Sequence, residues 1–169
     1  MKAAIEDVLV ALNKADVRYL VVGGVAVVLH GYLRTTADLD LVVQLEPENV
    51  RRVLRALEGI GFRPRLPVDA SGFADPQVRE RWIEEKGMMV FSLYRESDPL
   101  LGVDLFVREP FDFDAVSARA LVVALDRSTV PVISLDDLIA MKNAAARPRD
   151  VEDVRALRAL GAKEEPDHG

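Results

Sequence analysis

The chain has 169 residues, half of them hydrophobic, and it contains no cysteine. That length allows one well-buried core, and the lack of cysteine excludes disulfides, thiolate metal sites and cysteine nucleophiles. The formal net charge of −6 argues against general binding to duplex DNA, which depends on a basic surface. Apolar runs such as 20–22 and 25–29 fall far short of the roughly 20 residues that span a bilayer, so we expect a cytoplasmic protein that does not enter a membrane.

Hydrophobic spacing predicts alternating helices and strands over the first sixty residues. Ile5, Val8, Leu9 and Leu12 recur at helical spacing, which predicts an amphipathic helix over 3–15. The elements predicted next are a strand over 19–22, a short helix over 25–30, a strand over 38–44, and a helix from Pro47 to just before Gly59. This alternation indicates the α/β class.

The middle of the chain has weaker patterns. Two prolines and a Ser-Gly pair predict an irregular loop over 63–75. The elements predicted after it are a helix over 77–85, strands over 88–94 and 103–107, and a further pair of strands over 121–125 and 130–133. The turn Ser97-Asp-Pro between the first two strands would let them pair as a hairpin.

The last part of the chain has helical character. Ser134 is a favourable N-cap with Asp137 three residues later, and Pro148 should end or interrupt the helix that follows. Another helix is predicted over 151–160, and the polar tail 163–169 is expected to be disordered. We therefore expect a single domain over 1–162, with a core over about 1–133 and a small C-terminal helical part over about 134–162.

A pair of aspartates opens the second predicted strand. Asp38 and Asp40 are two residues apart, so their side chains point to one face while Leu39 and Leu41 point to the other, the core. Two carboxylates held together repel each other, and a shared proton or a divalent cation usually relieves the repulsion. The pair is therefore a candidate metal site.

Two other features could belong with this pair. Gly23 and Gly24 interrupt the first strand, and a glycine turn before a helix offers backbone N–H groups to phosphate. Asp104 lies in an otherwise apolar strand, where an unpaired charge is costly unless it faces a cavity or a cation. Each feature alone has an ordinary structural explanation, but the three in this order favour a site for nucleotidyl transfer.

These motifs resemble the polymerase β-type nucleotidyltransferase superfamily. The signature of that superfamily is a hydrophobic residue followed by Gly-(Gly/Ser), a spacer, and then Asp-x-(Asp/Glu) followed by a hydrophobic residue. In this chain Gly23-Gly24 and Asp38-x-Asp40 match it, with thirteen residues between Gly24 and Asp38. The run from Gly23 through His30-Gly31 to Asp40, and the later run from Lys142 to Asp153, are similar to minimal nucleotidyltransferases grouped with AbiE-type toxins. The resemblance implies a mixed β-sheet flanked by helices, with a small C-terminal helical subdomain.

The resemblance also implies roles for the matching residues. Asp38, Asp40 and Asp104 would bind two Mg²⁺ ions, for which Mn²⁺ could substitute, and Asp104 would also act as the base. The nucleotide-binding residues would be Gly23 and Gly24 beside the triphosphate, Lys142 on a phosphate, and Arg34 and Thr36, which either touch the nucleotide or shape the turn. Asp150 would orient Lys142 or the acceptor.

The implied function is transfer of a nucleoside monophosphate from an NTP to an acceptor hydroxyl, with pyrophosphate leaving. The acceptor would be an RNA or tRNA end, a protein hydroxyl or a small molecule, and the arginines of the C-terminal helices slightly favour RNA. A cognate toxin or antitoxin protein is the further partner that the resemblance suggests. The alternative is a non-catalytic module of the same fold that binds nucleotide or a partner. A Rossmann-type dinucleotide site is disfavoured because Gly-x-x-Gly does not follow the first glycines.

Overall fold

A computed structural model of the protein describes residues 2–164. The helices are α1 (Lys2–Lys14), α2 (Gly23–Leu29), α3 (Pro47–Gly59), α4 (Pro76–Lys86), α5 (Phe113–Ser117), α6 (Leu135–Ala145) and α7 (Pro148–Glu164), with a 3₁₀ turn at Ala70–Ala74. The strands are β1 (Tyr19–Val22), β2 (Asp38–Val43), β3 (Phe62–Pro64), β4 (Val90–Arg95), β5 (Asp98–Phe106), β6 (Leu121–Ala124) and β7 (Thr129–Val132). None of these helices is both long and apolar enough to cross a membrane.

The strands form one mixed sheet in the order β3-β4-β5-β2-β1-β7-β6. Strands β2 and β5 pair in parallel, as do β1 and β7, whereas the other neighbours are antiparallel. The parallel pairing sets residues 38–41 beside residues 102–105 in the centre of the sheet. Two segments far apart in the chain therefore meet where the acidic residues lie.

The main core lies on one face of the central strands. Leu39, Leu41, Val103 and Leu105 are fully buried on that face, toward α1 and α3. Each such leucine contributes about 1.5–3 kcal/mol when it leaves water. Because side chains alternate along a strand, this packing turns Asp40 and its neighbours to the opposite face.

The C-terminal helices attach beside the first strand. Ser134 caps α6 as predicted, since its Oγ accepts the backbone N–H of Asp137 at 3.2 Å. His30, at the end of α2, forms a hydrogen bond from Nε2 to the carbonyl oxygen of Ile133 at 2.8 Å. Helices α6 and α7 pack against each other, so α7 is held beside α6.

The structure confirms most predicted elements, including the two hairpins, but two short elements were missed. Strand β3 lies at the start of the segment predicted as an irregular loop, and α5 had no predicted counterpart. Strand β5 begins at Asp98, five residues before the predicted start. Its second residue, Pro99, cannot donate a backbone hydrogen bond, but proline is tolerated at the first residues of a strand.

Two helix boundaries were also wrong. Helix α2 begins at Gly23 rather than at residue 25, because Gly23 adopts a positive φ of 64° that turns the chain directly from strand to helix. Helix α6 ends at Ala145, shortly before Pro148, as predicted, but Pro148 then opens α7 three residues before the predicted start of that helix; the first turn suits a residue that needs no N–H partner. Helix α7 continues to Glu164, two residues into the predicted tail, and residues 165–169 lie outside the described part.

Candidate active site

Three carboxylates lie on the face of the sheet opposite the main core. In the parallel pair of β2 and β5, Asp40 is directly opposite Asp104, and Asp38 is opposite Gly102. Asp38 is exposed, whereas Asp40 and Asp104 are partly buried. The structure thus brings together the three acidic residues that the sequence singled out.

Burial and neighbouring charges shift the ionisation of two of these carboxylates, Asp40 and Asp104. Burial, together with the charges of Asp104 and Asp38, raises the pKa of Asp40 to about 6. Burial and the charge of Asp38 also raise the pKa of Asp104, although a hydrogen bond from Ser92 opposes the change. Within residues 2–164, no three His, Cys, Asp or Glu side chains converge into a finished metal cluster. The carboxylates therefore lie on one face and repel one another, but they do not converge on a single metal position.

The Gly23-Gly24 turn makes direct contact with Asp40. The backbone N–H of Gly24 donates to the Asp40 carboxylate and thereby lowers its pKa, against the larger effect of burial. A Cβ atom at Gly23 would overlap that carboxylate, and one at Gly24 would lie 2.6 Å from the guanidinium of Arg34 and 2.5 Å from the hydroxyl of Thr36. Glycine is thus required here by close packing, and contact of the turn with a triphosphate stays a prediction.

Lys142 lies in a buried ion network between α6 and α7. Its side chain is 6 % exposed, and its Nζ lies 2.8 Å from Asp153 Oδ2 and 3.3 Å from Asp150 Oδ1. Asp153 also pairs with Arg34 at 3.2 Å, and Asp150 pairs with Arg147 at 2.8 Å. Burial works against ionisation of Asp150, but hydrogen bonds from Arg147 and Lys142 lower its pKa overall. Asp150 thus contacts Lys142 as an orienting role requires, and contact of Lys142 with phosphate stays a prediction.

The same network fixes the loop that leads into β2. Arg34 reaches Asp153 of α7, and Arg149 Nη2 donates to the carbonyl oxygen of Thr35 at 2.9 Å. Thr36 Oγ1 donates to the carbonyl oxygen of Asp38 at 3.3 Å. Helix α7 therefore positions the residues immediately before the acidic pair, and Arg34 and Thr36 at least shape this turn.

Comparison with known proteins gave matches among solved structures. No protein-family model matches the chain, and no curated protein matches it. The lincosamide antibiotic adenylyltransferase LnuA, solved with lincomycin bound, matches with a TM-score of 0.64 and 16 % identity, over 95 % of this chain and 98 % of LnuA. ANT(2")-Ia, in complex with adenylyl-2"-tobramycin, matches with a TM-score of 0.60 and 18 % identity, over 95 % and 90 % of the two chains.

The chain has the nucleotidyltransferase fold. A third match, an antigenic nucleotidyltransferase-like protein from Paracoccidioides brasiliensis, has a TM-score of 0.53 and 16 % identity, over 94 % of this chain and 75 % of that protein. The expected architecture, a mixed sheet flanked by helices with further helices at the C-terminus, is confirmed.

Within this nucleotidyltransferase fold, three residues near the carboxylates were missed by the sequence analysis, and Asp153, which ends the run that resembles AbiE-type proteins, had been given no role. Gly102 leaves room for Asp38, Ser92 donates a hydrogen bond to Asp104, and the charge of Arg65 lowers the pKa of Asp104. Asp153 completes the network around Lys142. A glycine inside a strand is a signal for close approach, so Gly102 could have been found; nothing in the sequence indicated Ser92 or Arg65.

A separate cleft of about 650 Å³ lies against α3, β3 and the 3₁₀ turn. Its lining includes Leu57, Phe62 and Leu93, and its rim includes Arg51 and Arg55. Leu93 alternates with Ser92 along β4, so this cleft is on the sheet face opposite the carboxylates. It is not part of the candidate active site.

Proposed function

We propose that the protein transfers a nucleoside monophosphate from an NTP to an acceptor hydroxyl, with Mg²⁺ as the required metal. The observation that carries the proposal is the arrangement of Asp38, Asp40 and Asp104 on two parallel strands beside the Gly23-Gly24 turn. Carboxylate oxygens are preferred Mg²⁺ ligands, and a cation would offset the burial and the repulsion that raise the pKa of Asp40. The donor chemistry therefore fits the metal.

The positions of the side chains suggest which role each of them has in the transfer reaction. The triphosphate lies against the Gly23-Gly24 turn, on the β1 side of Asp40. Asp104 lies on the other side and accepts the proton of the acceptor hydroxyl. The acceptor oxygen then bonds to the α-phosphorus as the bond to the leaving pyrophosphate breaks. Asp38, Asp40 and Asp104 would hold the Mg²⁺ ions, which would neutralise charge on the phosphates and lower the pKa of the attacking hydroxyl.

The proposed acceptor belongs to one of three chemical classes. Two structural neighbours are antibiotic nucleotidyltransferases, which supports testing small molecules such as lincomycin and tobramycin. The arginines of the C-terminal helices favour an RNA or tRNA end, and the resemblance to AbiE-type proteins suggests a role in a toxin–antitoxin pair. A protein hydroxyl is the third class. These acceptors differ in size and charge, so one assay can compare them.

The test is transfer of label from each α-labelled NTP, with Mg²⁺, to total RNA, to protein and to the two antibiotics. We expect label in one acceptor class with the wild-type protein and none with Asp38→Asn, which keeps the side-chain shape but removes its charge. Asp136→Asn is the matched control, because Asp136 is exposed in the first turn of α6. Undiminished transfer by Asp38→Asn would contradict the proposed site. Tight NTP binding without any transfer would instead support the non-catalytic nucleotide- or partner-binding module.

A further inference from the structure

Arg65 extends a row of site residues across the sheet. Asp40 on β2 is opposite Asp104 on β5, and Asp104 is opposite Ser92 on β4. Arg65 follows directly after β3, and its backbone N–H donates to the carbonyl oxygen of Ser92 at 2.9 Å. The four residues therefore form one cross-strand row on the same face, with Asp40 at one end and Arg65 at the other.

The guanidinium of Arg65 is held over this face by an aromatic ring. It stacks on Tyr94 with 5.5 Å between the guanidinium carbon and the ring centroid. Tyr94 is opposite Gly102 in the β4–β5 pair, so no side chain at position 102 obstructs the arginine. Arg65 Nη2 lies 3.7 Å from where a Cβ of residue 102 would be, which is also the space beside the Asp38 carboxylate. Stacking of this kind preorganises an arginine.

Arg65 is exposed and has no carboxylate partner among residues 2–164 at ion-pair distance. Its neighbour Arg63, two residues earlier and within β3, differs in this respect because it pairs with Glu96 at 3.1 Å. The planar guanidinium of arginine suits two parallel hydrogen bonds to a phosphate or carboxylate. The position therefore fits an anionic ligand at the edge of the site.

The order of the row indicates which substrate this ligand belongs to. The Gly23-Gly24 turn, where the proposed function places the triphosphate, adjoins Asp40 from the β1 side. Arg65 lies beyond Asp104 on the opposite side, where the acceptor hydroxyl must approach the base. We propose that the acceptor carries a phosphate group near its reacting hydroxyl and that Arg65 binds this phosphate. The inference rests on the proposed function, and it disfavours acceptors with several positive charges, such as aminoglycosides, at this position.

A binding experiment tests the inference without relying on turnover. One arm compares a fluorescein-labelled single-stranded RNA trinucleotide with the same sequence carrying neutral methylphosphonate linkages. The other arm compares ribose 5-phosphate with ribose by calorimetry. Both arms contain Mg²⁺ and no NTP, and both are run on the wild type, Arg65→Gln and the control Arg63→Gln.

We expect the phosphate-bearing member of at least one pair to bind about tenfold more tightly than its neutral counterpart, the ratio expected for about 1.4 kcal/mol of charge-assisted binding. Arg65→Gln should abolish this preference, and Arg63→Gln should keep it. The arm that shows the preference identifies the source of the phosphate, a polynucleotide or a phosphorylated small molecule. The inference would be overturned if, in both arms, the phosphate-bearing ligand and its neutral counterpart bound equally or not at all. It would also be overturned if Arg65→Gln kept the preference for the phosphate-bearing ligand.

The transfer assay separates this inference from the proposed function. If the wild type transfers label, Arg65→Gln should raise the acceptor KM about tenfold and leave the NTP KM unchanged. A rise in the NTP KM alone would place Arg65 on the nucleotide and overturn the inference. If the phosphate-bearing ligand binds in a way that depends on Arg65 but the wild type transfers no label, the anion site would be supported and the proposed activity overturned.

Discussion

The carboxylate of Asp38 occupies the space directly over Gly102 on the neighbouring strand. Any side chain at position 102 would overlap it, so the glycine determines where this carboxylate can lie. The exposed member of the acidic pair is thus positioned by the absence of a side chain on β5. This makes Gly102 as important to the site geometry as the glycines of the first turn.

Gly102→Ala should therefore displace Asp38 while leaving most of the sheet intact. We expect the affinity for Mg²⁺ and the rate of transfer to fall about tenfold or more, because small displacements of site groups cost large factors in rate. Gly59→Ala is the control, since no atom lies within 4 Å of a Cβ at that position. Metal titration and circular dichroism are the measurements. Wild-type metal affinity in Gly102→Ala would show that Asp38 does not need this space.

Asp40→Asn should stabilise the metal-free protein at neutral pH. The pKa of Asp40 is raised to about 6 in the folded state, so the folded protein binds its proton more tightly than the unfolded chain does. Between about pH 4 and pH 6 this group therefore reduces stability as the pH rises, and the full penalty applies above pH 6. Since one pKa unit corresponds to about 1.4 kcal/mol, the variant should gain about 1–3 kcal/mol at pH 7.5 and nothing below pH 4.

Urea denaturation of the metal-free Asp40→Asn protein at several pH values provides the measurement, with Asp136→Asn as the surface control. The stabilised variant should have no transfer activity. A loss of stability at pH 7.5 would instead mean that the Gly24–Asp40 hydrogen bond outweighs the burial of Asp40 and the repulsion among the carboxylates.

Ser92→Ala should impair the reaction without weakening NTP binding. The hydrogen bond from Ser92 favours the ionised form of Asp104, so its removal should raise the pKa of that carboxyl further. A base must be unprotonated to act, and we therefore expect the acidic limb of the kcat–pH profile to move to higher pH. Ser97→Ala, in the exposed turn after β4, is the control. An unchanged profile would show that Ser92 does not tune the base, and it would contradict the proposed role of Asp104 as that base.

Asp153→Ala should destabilise the fold. Asp153 is 1 % exposed and pairs with both Lys142 and Arg34, so its loss leaves two cations without this partner. Breaking a buried ion pair by removing one member costs about 3–5 kcal/mol. Chemical denaturation measures this loss, and Glu152→Ala, an exposed change on the same helix, should cost much less. Equal stability of the two variants would show that the network contributes little to holding α7.

Local sequence patterns were sufficient to predict the acidic face of the site. The alternation of Asp38, Leu39, Asp40 and Leu41 determined which side chains face the core, and Asp104 was recognisable as a charge in an apolar strand. Arg65 could not be predicted, because its place depends on the pairing of a three-residue strand with β4, and no local pattern specifies that register. The pairing of Lys142 with Asp153 likewise depends on how α6 packs against α7.

The parallel pairing of β2 with β5 also has a consequence for how the protein folds. Asp40 and Asp104 come together only after the chain between them, residues 41–103, has been looped and ordered, and such non-local strand pairing is slow. During synthesis, the emerging N-terminal part carries the glycine turn and two carboxylates but not the third. A divalent ion that requires all three carboxylates would bind only the completed sheet. Such an ion would therefore raise the melting temperature of the protein without accelerating its folding.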